Sequence, residues 1–190
     1  TGGNVATLDA LNRGEIWMGP VWVDMFLSWM AEGKLDLAVQ WLEENSPSID
    51  SELPFVYEAD YVAAARVLLA QGRLEPAADL LTRLQDVAEL GGRYLRVVEL
   101  LLLLAVADQA NGDLPQALTR LEQALVLGES RGMIRTFVDE GPHVARLLYA
   151  AVKQNIMPEY VQQVIAALPI ERPLSTTARP YSDDGWVEPL

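Results

Sequence analysis

The sequence predicts an all-α fold, a solenoid of stacked antiparallel helix hairpins, from three observations. A six-residue pattern, G-x-L-x-x-A, occurs at residues 33–38, 72–77 and 112–117, at intervals of 39 and 40 residues. Each copy lies between two segments whose apolar residues recur every three or four positions, the period of a helix with one buried face. The residues at the junctions are those that end one helix and begin the next. Units of this kind bury their apolar faces only by stacking on one another.

The elements follow in order. Residues 1–20 carry Gly2, Gly3, Gly14, Gly19 and Pro20, which break any period, so an irregular segment with at most one short helix around 5–12 is expected. Three hairpins are expected next, at 21–45, 56–90 and 94–131. Their first helices run over 21–32, 56–71 and 94–111, and their second helices over 35–45, 75–90 and 115–131. In the second helix of the middle unit, Ala77, Leu80, Leu81, Leu84, Val87 and Ala88 form one stripe. Ala117, Leu118, Leu121, Ala124, Leu125 and Gly128 do the same in the next unit.

The motif glycine ends each first helix, where a left-handed residue is cheap. Asp113 is placed to cap the following helix, with Pro115 in its first turn and Pro76 in a similar position. The motif alanines mark close helix crossings, and Leu42, Leu81 and Leu121 would plug the interface. Two capping helices are expected at 142–154 and 158–168. Residues 169–190, with four prolines and several Ser and Thr, read as an extended linker. The arrangement resembles tetratricopeptide repeats, with a period longer than the usual ~34 residues. A plain helical bundle is the competing architecture.

Composition bounds the function. The 190 residues are 51% hydrophobic and 22% charged, the balance of a globular chain with a sizeable core. The longest apolar run, 100–107, is far short of the ~20 residues that span a bilayer, and reads as a core helix. The absence of Cys rules out disulfides, thiolate metal sites and cysteine nucleophiles. With no signal peptide in the first residues, a cytoplasmic chain is expected, and the absence of an initiator Met suggests a piece of a longer protein. A net charge of −13 opposes gripping nucleic acid or an anionic membrane.

Chemistry has few footholds. The lone His143 follows Pro142 at a helix start, with no base or nucleophile spaced to serve it. No phosphate-binding G-x-x-x-x-G-K-[ST] loop is present, and the pairs Gly2-Gly3 and Gly91-Gly92 lack the rest of such a motif. Asp139-Glu140 are best placed to complement the dipole of the helix starting near Pro142, and Asp183-Asp184 to face solvent. The expectation is therefore no enzyme, no metal and no cofactor. Trp17, Trp22, Trp29 and Trp41 cluster early, and Trp22 and Trp29 share one helical face. Packing between helices is the first reading, and a stacking platform for a sugar or aromatic ligand the second.

In such an array the first helix of each hairpin lines the concave side. Aligning on the motif glycine puts Arg66, Glu99 and Gln109 on that wall, with Tyr61 and Arg96 close by. With Trp22, these are the candidate ligand or partner contacts.

The stretches 63–72 and 92–105, and above all the run Arg135-Thr136-Phe137-Val138-Asp139-Glu140-Gly141-Pro142 after the third motif, resemble the helical-repeat sensor region of MalT-like, ATP-dependent regulators of the LuxR family. The resemblance covers about residues 20–155. It implies an effector-sensing, protein-interaction and oligomerisation segment that takes a small-molecule inducer or a protein partner and self-associates. It also implies an ATPase and a DNA-binding helix-turn-helix domain elsewhere in the parent, with 187–190 leading toward the latter. DNA and ATP would be bound by those domains, not by this segment. A general repeat scaffold docking a peptide or protein is the alternative.

Overall fold

The computed structural model describes residues 34–45, 53 and 55–169. They form eight α-helices, with no strand among the described residues: α1 (Leu35–Asn45), α2 (Glu58–Ala70), α3 (Leu74–Leu90), α4 (Tyr94–Ala110), α5 (Leu114–Glu129), α6 (Ile134–Asp139), α7 (Pro142–Lys153) and α8 (Pro158–Ala167). A single 3-10 turn, Phe55–Tyr57, leads into α2. The expected helices at 5–12 and 21–32, Trp22 and nearly all of the linker lie outside the described residues.

The three-residue turns that join α2 through α5 fold each helix back antiparallel on the one before, and α2, α4 and α6 also touch in series, so these three make an inner layer. α3 and α5 form the outer layer, α7 extends it, and α8 closes the stack on α5, α6 and α7. This is the all-α, tetratricopeptide-like stack of hairpins that the sequence predicts.

The turns explain the regularity. Gly72, Gly92, Gly112 and Gly132, twenty residues apart, all take positive φ. Around Gly72, its own N–H donates to the Leu69 carbonyl at 3.0 Å, and the Arg73 N–H to the Leu68 carbonyl at 2.9 Å. The other three turns repeat this pair of bonds, which satisfies carbonyls that a helix end leaves orphaned. A side chain with a Cβ would strain that left-handed position. Asp113 caps α5 as expected, its carboxylate accepting from the Gln116 N–H at 3.0 Å, with Pro115 in the first turn. Such a cap contributes about 1 kcal/mol.

The motif alanines Ala38, Ala77 and Ala117 are completely buried, as are Leu81 and Leu121. The fourth turn departs from the pattern. Five residues after Gly132 stands Phe137, fully buried, where the three motif copies have Ala and the Gly92 turn has Val97. The small residue sits on the facing helix instead: a Cβ on Gly128 of α5 would fall 2.6 Å from the Phe137 ring. Tyr160 of α8 meets that ring edge to face, with centroids 6.0 Å apart. The helix α6, which the sequence reading leaves unassigned before the expected caps, is thereby locked to α5 and α8. It is too short to carry a legible period, which is why only its downstream neighbours are predicted.

Candidate functional site

α2 and α4 are apolar around most of their circumference, and Glu58, Arg66, Arg96 and Glu99 share one strip that the core does not cover, while Asp108 of α4 faces α5 and binds Arg120. Glu58 opens α2 and Arg66 follows two turns later. Arg93 ends the turn before α4, with Arg96 and Glu99 at successive turns after it, a spacing that puts all three on one face. Glu140 caps the C-terminus of α6.

These six side chains form one continuous ladder. Arg93 donates to Glu58 Oε1 through Nη2 at 2.7 Å and through Nε at 3.2 Å. Arg96 Nε donates to Glu58 Oε2 at 3.1 Å, and Arg96 Nη1 to Glu99 Oε2. Arg66 Nη2 donates to Glu99 Oε1 at 2.9 Å. Arg66 also grips both oxygens of Glu140, through Nη1 at 2.8 Å and Nη2 at 2.6 Å. Cation and anion alternate along the ladder, so it is neutral inside an acidic protein.

Pairing is what makes this burial tolerable. The side chains of Glu58 and Glu140 are 9% and 7% exposed, and a carboxylate this deep is costly unless bonded. Burial by itself lowers the Arg66 pKa. The hydrogen bond and charge of Glu140, joined by those of Glu99, outweigh it and hold the guanidinium above the ordinary arginine value. Arg66 is a permanent cation, fixed in plane by two carboxylates. Its pairings join α2 to α4 and α2 to the end of α6 across 33 and 74 residues of sequence. At the near end, Arg93 also lies over the exposed Phe55 ring, 4.9 Å from its centroid.

Three of the sequence-predicted contacts, Arg66, Arg96 and Glu99, thus meet directly. Tyr61 lies one turn beyond Glu58 but inside the core, 1% exposed, its hydroxyl buried without a hydrogen-bond partner. Gln109 is half-buried at the far end of α4, about 15 Å along the helix from Glu99, beyond the ladder. Trp22 lies outside the described residues.

Sequence reasoning missed Glu58, Arg93 and Glu140. The first two had a signal in the R-x-x-R-x-x-E spacing of 93–99, which needs a carboxylate opposite it. Glu140 had none, and it was paired with Asp139 as a dipole complement to the helix at Pro142. The structure separates the two: Asp139 pairs in solvent with Arg135 at 3.2 Å, while Glu140 reaches back to Arg66. His143 is exposed at the second position of α7. Among the described residues no group of His, Asp and Glu could hold a metal ion, and no helix is long and apolar enough to cross a membrane.

The chain matches the MalT-like TPR region over residues 21–154, a segment that contains all six ladder residues. The chain belongs to this family. It is also similar to the HTH-type transcriptional regulators MalT of two Klebsiella pneumoniae strains, at 29% identity over 169 residues and 30% over 170. Each comparison covers 85% of this chain and 18% of the relative, so the chain spans less than a fifth of the length of the regulators it matches. No solved structure matches it. For this MalT-like TPR region, the regulator-related helical segment expected from the sequence is therefore the level at which family and fold agree.

Proposed function

We propose that this MalT-like TPR region is the effector-sensing and protein-interaction segment of a LuxR-family transcriptional regulator. It works in the cytoplasm, self-associates, and performs no catalysis of its own. DNA and ATP are bound by other parts of the parent protein. The observation that carries the reading is the ladder. Its rungs join three inner helices through arginines that keep a fifth to a quarter of their side-chain surface exposed. A ligand or partner that enters along this wall exchanges its own polar groups for a rung. Each exchanged rung changes the contact between different helices, so binding energy is coupled to helix spacing.

Calorimetry of this chain against a panel of sugars, nucleotides and amino acids, with sedimentation of any complex, tests the reading. One ligand class is expected to bind, to shift the sedimentation coefficient, and to weaken at least about tenfold in Glu99→Gln, a loss of ~1.4 kcal/mol. If no metabolite binds, and the immobilised chain retains a protein partner in a Glu99-dependent way, the region is a docking scaffold instead.

A further inference from the structure

The outer layer holds a feature that the ladder does not use. α3 and α5 are each antiparallel to α4 and therefore parallel to one another, and they are held apart by it. Between them runs an open groove of about 580 Å³. Its apolar part is the exposed Val126 and half-buried Leu127 of α5, above the buried Leu101 of α4. Leu101 stands two residues beyond Glu99, about 200° around α4, so the groove faces away from the ladder. Val126 is 54% exposed, an apolar side chain facing solvent beside the buried stripe of α5.

The rim is acidic. Glu89 and Glu122 line it, with the amide side chains of Gln85 and Gln123, and no Lys or Arg does. The two helices carry six carboxylates, at 75, 79, 86, 89, 122 and 129, against two arginines. Arg120 is held by Asp108 at 2.6 Å and Arg83 lies 4.0 Å from Asp79. Because α3 and α5 are parallel, their C-terminal, partially negative ends add at the end where Glu89 and Val126 lie.

We infer that this groove docks a basic amphipathic α-helix of a partner protein. The apolar side chains of that helix cover Val126 and the half-buried Leu127, and its Lys or Arg residues pair with Glu89 and Glu122. Complementary charge selects the occupant, since the rim offers acceptors and carboxylates without a cation. The length of the groove accommodates a helix. The lining positions on α5 run from Thr119 to Leu127, about 12 Å, which matches the ~10 Å between i and i+7 anchors of a helix lying in a groove. The inference stands apart from effector sensing on the inner wall and survives if that reading fails.

The test uses the 190-residue chain at physiological salt and a fluorescent peptide with Leu at i, i+4 and i+7 and Lys between them, followed by anisotropy. The peptide is expected to bind. Affinity should fall at least about tenfold in Glu89→Lys/Glu122→Lys and likewise in Val126→Asp, but less than about twofold in Glu75→Lys/Glu159→Lys, which changes net charge equally outside the groove. A control peptide with Ser in place of Leu should bind at least about tenfold more weakly. Equal weakening by both double variants would mean that the overall negative field alone attracts the peptide, and would overturn the proposal. So would equal binding of the Leu and Ser peptides, or no binding of either. Circular dichroism of each variant separates loss of binding from loss of fold.

Discussion

α4 in the inner layer buries Val97, Val98, Leu100 through Ala105 and Ala107, most of its circumference. α5 in the outer layer buries a single stripe, Ala117, Leu118, Leu121, Ala124, Leu125 and Gly128. The contrast decides what polar residues do in each place. On α4 and α2 there is room for few charges, water is scarce, and each ladder charge is bonded to another. On α3 and α5 most carboxylates face solvent, where pairing contributes little. The layer that looks greasiest in sequence therefore holds a continuous network of six paired charges.

The sharpest way to break this comparison is to cut one side chain from each layer. Leu104→Ala, at a fully buried inner site, should lose about 2–5 kcal/mol in urea denaturation. Val126→Ala, on the outer face, should stay within about 0.5 kcal/mol. Equal effects would mean that the layers are not energetically distinct.

Removing the hub of the ladder comes next. Arg66→Met leaves the buried Glu140 and the partly exposed Glu99 without their shared cation and should cost about 3 kcal/mol, the low end for breaking a buried pair because Arg66 keeps some solvent contact. In a double-mutant cycle with Glu140→Gln, the combined loss should fall short of the sum by about 0.5–3 kcal/mol. Strict additivity would show the bridge to be energetically idle.

A smaller effect tests the lock between α5 and α6. Gly128→Ala pushes a methyl group into the Phe137 ring and should cost about 1–3 kcal/mol. Phe137→Leu in the same chain should recover part of that loss in thermal melts.

The smallest effect is a titration. Burial raises the Asp60 carboxyl above its ordinary value. A carboxyl raised in the fold supports stability only below the unfolded pKa, about 3.9, and loses that support as pH climbs through the folded value. Ionised Asp60 therefore weakens the fold at neutral pH. Asp60→Asn should melt higher than wild type at pH 7, and the advantage should vanish below about pH 4.

The same contrast explains what the sequence made legible. α3 and α5 were readable almost to the residue, since a half-exposed helix writes its buried stripe as a period. α4 was found from its turns and length, because the run at 100–107 has no polar side to mark the period. On the ladder, Arg66, Arg96 and Glu99 emerged from aligning the motif glycines, which fixes the same register in successive hairpins. Glu140 did not, because three helices separate it from its partner in sequence and only the stacking of the hairpins brings them together. Tyr61 was read as a wall residue beside Arg66, and the tight packing of α2 on its neighbours puts it inside.

The twenty-residue interval between Gly72, Gly92, Gly112 and Gly132 has a consequence for how such a chain changes over generations. Helices of 16 or 17 residues joined by identical turns return each hairpin to the same angular phase. One residue inserted in a helix would rotate everything after it by about 100° and put the stripe of the next helix into water. A whole hairpin of 40 residues can be copied or excised with phase intact. Between Gly72 and Gly132, a length change that keeps the packing is therefore expected to come in whole hairpins, lengthening or shortening the inner wall in steps.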